Sequence, residues 1–304
     1  MERVTTIGAL NGVRLSNESV GVVATTDVGP RIVEYALHGG LNVLGDALDA
    51  RIETPLGLWR AYGGHRLWCA PEASPRSYVP DNDPVLVEEI GERAVRLIAP
   101  PESATGIARA ITVVLDDTGS GLTLLHRITN TSLWMVELAP WALTIVAPGG
   151  EALVPQEPYR PHAESLLPVR TLALWSYTDL SDERLRFGRR FIRVRSRSTM
   201  AEPLKIGASN AQRWAGWHRD GTLFVKRFPY SSEALYPDLG CNTEIYTAGD
   251  FMELESLGPM IRLEPGASVE HLERWSLFDG FDAGDDDDRL AVALAPLLLQ
   301  SGLE

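Results

Sequence analysis

The sequence predicts an all-β protein built as one large sandwich of two curved antiparallel sheets. Short segments rich in Val, Ile, Thr and Leu recur along the whole chain between Gly, Pro, Asn and Asp. Sustained helical periodicity is nearly absent, and no repeat of fixed period favours a propeller or a solenoid. No linker rich in Pro, Gly or Ser divides the 304 residues. We therefore expect a single domain over residues 1–304.

The strand segments are short apolar runs bounded by turn formers, and about a dozen to twenty of them would use up the chain. The clearest are Val20–Thr25, Arg31–Leu37, Val85–Ile90, Ala94–Ile98, Ala108–Leu115, Gly121–Thr129, Val136–Val146, Leu204–Ala208, Thr222–Lys226, Thr243–Thr247, Phe251–Leu257 and Val269–Leu277. The proline-rich stretch Pro155–Pro168 predicts a long loop.

One helix is expected, at the C-terminal end over Asp288–Leu299. It opens on the acidic run Asp285–Asp288, which suits the positive end of a helix dipole. Pro296 fits poorly near its end. We interpret the acidic run as a solvated cap, because the alternating ligand spacing of a calcium-binding loop is missing.

Charge and cysteine content limit the partners that the sequence predicts. A net charge of −13 argues against nucleic acid and anionic membrane surfaces. The one basic run, Arg184–Arg197, is interpreted as the solvated face of a hairpin. Cys69 and Cys241 show neither disulfide nor metal spacing. With no signal peptide and no apolar run of roughly 18 residues, a reducing cytoplasmic location is expected.

The standard phosphate, nucleophile and zinc-protease motifs are absent from the sequence. The segment Gly63–Glu72 instead groups His65, Arg66, Trp68 and Glu72 behind two glycines. Arg can bind hydroxyls or carboxylates, and Trp offers a face on which a sugar can stack. A turn with a buried Trp and a structural His is the equally weighted alternative.

Two further segments carry isolated polar residues among apolar ones. Strand alternation places His126 and Asn130 on one face of Leu122–Asn130, where a lone His is more often part of the core. Trp217 precedes a hairpin signal at Asp220, and Lys226 follows it on an apolar strand. Lys226 is either a charge that protects an edge strand or a cation in a cleft.

The richest segment pairs two acidic strands. Asn242 and Glu244 share a face of the first strand, and Glu253 and Glu255 share a face of the second. Residues two apart in a strand are separated by about 6–7 Å. If the two faces meet, three carboxylates crowd one cleft, and such crowding raises a pKa into the range useful for acid–base catalysis. The alternative is a solvated acidic face.

The order of several short motifs resembles the galactose mutarotase-like superfamily, in particular an uncharacterised bacterial group. The segments that carry the resemblance are Asp27–Ile32 with Gly39–Leu44, Gly63–Trp68, Ile128–Ser132, and Leu254–Glu255 with Leu263–Ser268. They look like the opening hairpin, the double-glycine segment beside the sugar, the Asn-Thr strand end, and the strand of the catalytic glutamate with its Pro-Gly turn. The resemblance implies a β-supersandwich, a small carbohydrate ligand and a cleft on a concave sheet.

The resemblance also implies an aldose 1-epimerase-like isomerase that opens and closes a sugar ring. Glu255 matches the family glutamate and would be the general base. The family histidine that follows the Asn-Thr segment is missing from Leu138–Thr144, so the acid would come from elsewhere, with His65 preferred and His126 as the alternative. The other side chains expected to contact the sugar are Arg66, Trp68, Glu72, Asn130, Trp217, Lys226, Asn242, Glu244 and Glu253. This chemistry needs no metal and no organic cofactor.

Three alternatives remain open at the level of sequence. The chain could be a non-catalytic sugar-binding or sensor protein on the same fold. It could be a glycoside hydrolase or lyase that uses Glu244 with Glu253 or Glu255. A phosphorylated sugar could bind through Arg66, Lys226 and Arg227. The sequence does not predict an oligomeric state.

Overall fold

Two large antiparallel sheets pack face to face in the computed structural model, which describes residues 1–302 apart from the side chain of residue 7. The strands, numbered β1 to β23 in chain order, are Glu2–Thr5, Asn11–Ser16, Val20–Thr25, Arg31–Leu37, Asp46–Thr54, Gly57–Gly63, His65–Ala70, Leu86–Gly91, Ala94–Ile98, Ile107–Leu115, Leu122–Asn130, Val136–Ile145, Glu151–Pro155, Leu172–Leu174, Leu185–Phe187, Phe191–Arg195, Leu204–Ala208, Trp214–Arg219, Thr222–Arg227, Thr243–Ala248, Phe251–Leu257, Ile261–Leu263 and Ser268–Phe278. The helices are α1, Pro237–Gly240, and α2, Asp287–Gln300.

The first sheet has 11 strands in the order β1-β2-β3-β4-β7-β12-β21-β20-β17-β14, with β22 paired to β12. The second has 10 strands in the order β15-β16-β13-β18-β19-β23-β11-β10-β9-β8. A separate hairpin of β5 and β6 contributes to the wall of a cavity on the first sheet. The all-β sandwich that the sequence predicts is confirmed.

The main core lies between the two sheets. It joins apolar residues of the first sheet, such as Val22 and Ile32, to residues of the second, such as Val113, Leu124 and Trp275. Strand alternation sends every second side chain into this space, and burial of that apolar surface is the main favourable contribution to folding. Several strands, including Val20–Thr25 and Phe251–Leu257, begin and end at the residues that the sequence predicts.

The C-terminal helix α2 extends one residue beyond its predicted range at each end. The Asp286 side chain accepts a hydrogen bond from the backbone N–H of Arg289 at 2.8 Å and so caps the first turn. Leu290 and Leu294 pack with Trp214 in a second cluster, outside the second sheet. The predicted long loop is also confirmed, since residues 156–171 connect β13 to β14.

The arginine run forms the β15–β16 hairpin, but it is not a uniformly solvated face. Arg184 and Arg193 are each about 1% exposed. Arg184 pairs with Asp182 at 2.8 Å, and Arg193 pairs with Glu151. The acidic start of α2 covers other members, as in the contact of Arg190 with Asp288. The run is therefore largely neutralised within the chain, because buried guanidinium groups need paired carboxylates.

Among residues 1–302, no helix has the length and apolar character required to cross a membrane.

Candidate functional site

The register of five neighbouring strands gathers charged and aromatic side chains on the outer face of the first sheet. Arg66 of β7 lies opposite Leu143 of β12, which lies opposite Glu255 of β21. Glu255 in turn lies opposite Glu244 of β20. In the adjacent row, Glu253, Tyr246 and Lys205 follow one another across β21, β20 and β17. Because alternate residues face opposite sides of a sheet, all of these side chains point away from the other sheet.

A cavity of about 630 Å³, here called the aromatic cleft, lies over this face. Its walls come from the sheet, from the β5–β6 hairpin and from the segments after β7 and β14. The aromatic side chains that line it are Trp59, Trp68, Tyr78, Trp141, Trp175, Tyr177, Tyr246 and Phe251. Its charged lining consists of Arg66, Glu72, Lys205 and Glu253. An aromatic cavity with a few polar groups is the usual form of a small-molecule site.

Arg66 and Glu253 form one ion pair of the cleft. The Arg66 Nη2 donates to Glu253 Oε1 at 2.9 Å, and the guanidinium lies 4.5 Å from the ring centre of Trp68 and 5.1 Å from that of Trp59. Burial raises the pKa of Glu253 to about 7, although Arg66 opposes the shift. This carboxyl can therefore exchange a proton near neutral pH.

Lys205 forms the second ion-pair group, with two carboxylates beneath it. Its Nζ lies 2.7 Å from Glu244 Oε2 and 3.3 Å from Glu255 Oε2. The Trp141 indole N–H donates to Glu255 Oε2 at 2.6 Å. The ammonium sits 4.8 Å from the Trp141 ring centre and 4.7 Å from that of Trp175. Glu244 and Glu255 have no exposed surface, so Lys205 separates them from the cleft.

Burial and the neighbouring charges shift the pKa values of Lys205 and Glu244 in opposite directions. Burial alone would lower the pKa of Lys205, but Glu255 and Glu244 outweigh it and hold that pKa well above its usual range. Burial raises the pKa of Glu244 well above its usual range, in spite of the nearby ammonium. With its ammonium 2.7 Å from Glu244 and 3.3 Å from Glu255, Lys205 has the geometry of a lysine paired with both groups.

The rim of the cleft is formed by tyrosines and Glu72. The Tyr78 hydroxyl donates to Glu72 Oε1, and the Tyr78 ring packs 5.1 Å from the Trp68 ring. Glu72 is exposed to solvent. Tyr246 is Cα-paired with Glu253, and burial raises the pKa of its hydroxyl, which therefore stays protonated. The cleft thus offers a proton donor beside a carboxyl that titrates near pH 7.

Six of the eleven sequence-predicted site residues meet here, and five do not, among them the expected acid His65. Arg66, Trp68, Glu72 and Glu253 line the cleft, while Glu244 and Glu255 lie beneath it. His65 has no exposed surface and points between the sheets, because it neighbours Arg66 in β7 and alternation turns it the opposite way. Its predicted position beside the ligand is corrected accordingly.

Lys226 is also in the space between the sheets rather than in a cleft or at a sheet edge. Its Nζ lies 2.9 Å from Glu273 Oε1 and hydrogen-bonds the Ala142 and Leu254 carbonyls and the Thr144 hydroxyl. Strand β19 lies in the middle of the second sheet, so an edge-protecting role is excluded for this residue. Arg227, on the other side of β19, binds the end of α2 through the Leu298 carbonyl. Neither cation can contact a ligand in the aromatic cleft.

The remaining predicted contacts have structural partners. Trp217 is fully buried in the core between the sheets. The Asn130 side chain donates to the Trp134 carbonyl at 2.7 Å and the Leu263 carbonyl at 2.9 Å, which fixes the turn before β12. The Asn242 Oδ1 accepts from the Asn210 backbone N–H at 2.6 Å. These three residues shape the scaffold and do not line the aromatic cleft.

A possible metal-ligand set lies within the core. His65, His126 and Glu273 bring their ligand atoms within 4.8 Å of one another. However, the two Nε2 atoms are 2.6 Å apart, whereas two nitrogens on one zinc ion are about 3.3 Å apart. The Glu273 oxygens also contact Lys226 and the Trp275 indole N–H. The arrangement fits a hydrogen bond between two neutral imidazoles better than a metal centre.

Several lining residues were missed at the level of sequence. Alternation within β20 could have placed Tyr246 on the face of Glu244, and Lys205 was a lone charge in an apolar strand. Trp59, Tyr78 and Trp175 come from a hairpin and from connecting segments. Nothing local in the sequence links them to the acidic strands, because their approach depends on tertiary packing.

The sequence matches no family model and no curated protein. Solved structures are similar over most of the chain. A putative mutarotase (YeaD) from Salmonella typhimurium has 10% identity, covers 91% of this chain and 93% of its own, and gives a TM-score of 0.59. A galactose mutarotase-like protein from Lactobacillus casei has 12% identity, coverages of 88% and 100%, and a TM-score of 0.53. A putative aldose 1-epimerase from Escherichia coli K12 has 11% identity, coverages of 88% and 99%, and a TM-score of 0.52.

At such low identity the likeness establishes the architecture and leaves the chemistry to the residues of the cleft. The long antiparallel sheets, their face-to-face packing and the near-complete coverage of these structures agree with the resemblance seen in the sequence. The chain has the galactose mutarotase-like fold.

Proposed function

We propose that the protein binds a sugar in the aromatic cleft and interconverts its anomers by acid–base catalysis. The observation that carries the proposal is the Glu253 carboxyl, which lines an aromatic cavity, is held by Arg66 and has a pKa of about 7. The indole rings would stack on the apolar faces of a sugar ring. Tyr246 and Lys205 would donate hydrogen bonds to its hydroxyls.

The reaction would open and close the sugar ring through two proton transfers. Glu253 takes the proton of the anomeric hydroxyl as the C1–O5 bond breaks, and the Tyr246 hydroxyl protonates the ring oxygen. The C1–C2 bond then rotates. The ring oxygen attacks the other face of C1 and returns its proton to Tyr246, while Glu253 returns its proton to the C1 oxygen. The base must be ionised and the donor protonated at one pH, a condition that the two groups meet.

Glu253 is preferred over Glu255, the residue that matches the family glutamate. Glu255 is fully buried, binds the Trp141 indole and lies under Lys205. Glu253 lines the cavity itself. A general base must come within hydrogen-bond distance of the proton that it removes. The same burial argues against a hydrolase that uses the Glu244 and Glu255 pair.

We expect NMR with the purified protein to detect both parts of this function in one sample. A panel of aldoses is examined by saturation transfer, which reports binding, and by exchange spectroscopy between the α and β anomeric signals. Faster exchange for a bound sugar supports the proposal. Binding without faster exchange would instead favour a sensor, and the absence of both signals across the panel would contradict sugar binding.

The pH dependence of anomer exchange should follow the ionisation of Glu253. Because the base must be ionised, kcat/KM should fall about tenfold per pH unit below about pH 7. A glutamate with an ordinary pKa would move this limb to about pH 4.5. Exchange rates measured between pH 5 and pH 8, corrected for buffer catalysis, would test the position of the limb. A flat profile down to pH 5 would mean that the base titrates below pH 5, which contradicts a catalytic carboxyl with a pKa near 7.

A further inference from the structure

Carboxyl groups outnumber cations in the aromatic cleft. In the part of the chain that the structure describes, Arg66 and Lys205 are the cationic side chains of the lining. The carboxyl groups, two at the lining and two directly beneath Lys205, are Glu72, Glu253, Glu244 and Glu255. A site with more carboxyl groups than cations attracts cationic ligands and repels anionic ones.

Both cations already have partners. Arg66 binds Glu253 at 2.9 Å and stacks against Trp68 and Trp59. Lys205 lies within 3.3 Å of two carboxylates. A phosphate or carboxylate on the ligand would have to share one of these cations with a carboxylate that already pairs with it, and the two like charges would repel each other. Within residues 1–302, each cation that lines the cleft is therefore already balanced by a carboxylate of the chain.

The carboxylates have capacity left for a ligand. Within residues 1–302, the hydrogen bond found for Glu253 uses Oε1, and the one found for Glu72 comes from the Tyr78 hydroxyl. Burial, Glu255 and Glu72 raise the pKa of Glu253 to about 7 against the opposing effects of Arg66 and Lys205, so near neutral pH a bound proton neutralises part of its negative charge. A cation on the ligand could replace that proton.

We infer that the ligand of the aromatic cleft is a 2-amino sugar in its protonated form, whose ammonium group binds Glu253 and Glu72. This inference rests on the proposed function, that the cleft takes a sugar. If Glu253 accepts the proton of the C1 hydroxyl, an amine that reaches the same carboxylate belongs on the neighbouring carbon, C2. An ammonium group supplies three donors and also interacts favourably with the indole faces around it.

The test compares ligands of nearly equal shape and different charge. Titration calorimetry at low salt and about pH 7 would measure 2-amino-2-deoxyglucose and 2-amino-2-deoxygalactose against their N-acetyl forms, the parent hexoses and the hexose 6-phosphates. We expect one amino sugar to bind about tenfold more tightly than its parent hexose, equivalent to about 1.4 kcal/mol. Its affinity should increase from pH 6 to pH 7, as Glu253 loses its proton.

Two variants separate charge recognition from general effects. Glu72→Gln should weaken binding of the amino sugar several-fold more than it weakens binding of the parent hexose. Glu89→Gln removes an equal charge from an exposed site on β8, in the other sheet, and should change neither. Equal or tighter binding of the parent hexose or the 6-phosphate would overturn the inference and leave sugar binding intact. If none of these sugars binds, the proposed function itself fails.

Discussion

Replacing Glu253 with glutamine should lower the rate of anomer exchange by about 10²–10⁴-fold, the usual contribution of a positioned general base. Glutamine has nearly the same volume and can still accept the Arg66 hydrogen bond through its amide oxygen. Sugar affinity should therefore change much less than kcat. Exchange spectroscopy of the wild type and the variant, with binding measured on the same samples, would separate the two effects.

The matched variant is Glu255→Gln, on the same strand and the same face. It removes a carboxylate that binds Trp141 and Lys205 beneath the cleft, so we expect lower stability with a smaller loss of kcat. The opposite result, with exchange lost in Glu255→Gln and retained in Glu253→Gln, would return the role of base to Glu255. A retained limb near pH 7 in Glu253→Gln would show that another group titrates there.

The strands were predictable because the signals that define them are local. Alternation within Phe251–Leu257 predicted that Glu253 and Glu255 share a face, and the structure confirms it. Alternation alone does not predict which face of a strand lies between the sheets and which face lies in the cleft. His65 and Arg66 are adjacent, yet one lies between the sheets and the other in the cleft. A one-residue shift in register would exchange them, and only long-range pairing fixes that register.

The two lysines of the sequence show the same limit of prediction from local pattern. Lys205 and Lys226 each stand in a short apolar strand, and the sequence around them looks alike. Lys205 faces the cleft beside Trp141 and Trp175, while Lys226 faces the interior beside Glu273. Glu273 is 47 residues away from Lys226 in the sequence, since 273 − 226 = 47. Which lysine meets which carboxylate is therefore decided by strand order rather than by local pattern.

We expect substitutions in the polar group around Glu273, between the two sheets, to destabilise the fold more than substitutions elsewhere. Burial alone would raise the pKa of Glu273, but the Lys226 ammonium holds it well below its usual range. The carboxylate also accepts hydrogen bonds from the Ser256 hydroxyl and the Trp275 indole N–H. It is thus ionised and fully enclosed, and Lys226 is the cation that compensates it.

Lys226→Met should lower the free energy of unfolding by about 3–5 kcal/mol, because it leaves this charge buried without its partner. The double variant Lys226→Met with Glu273→Gln should recover most of that loss. Glutamine keeps the Trp275 bond through its oxygen and carries no charge. Urea unfolding of the wild type, both single variants and the double variant would give the coupling energy. If Lys226→Met does not fold, the double variant still should. A double variant no more stable than Lys226→Met would mean that lost packing, rather than an uncompensated charge, causes the destabilisation.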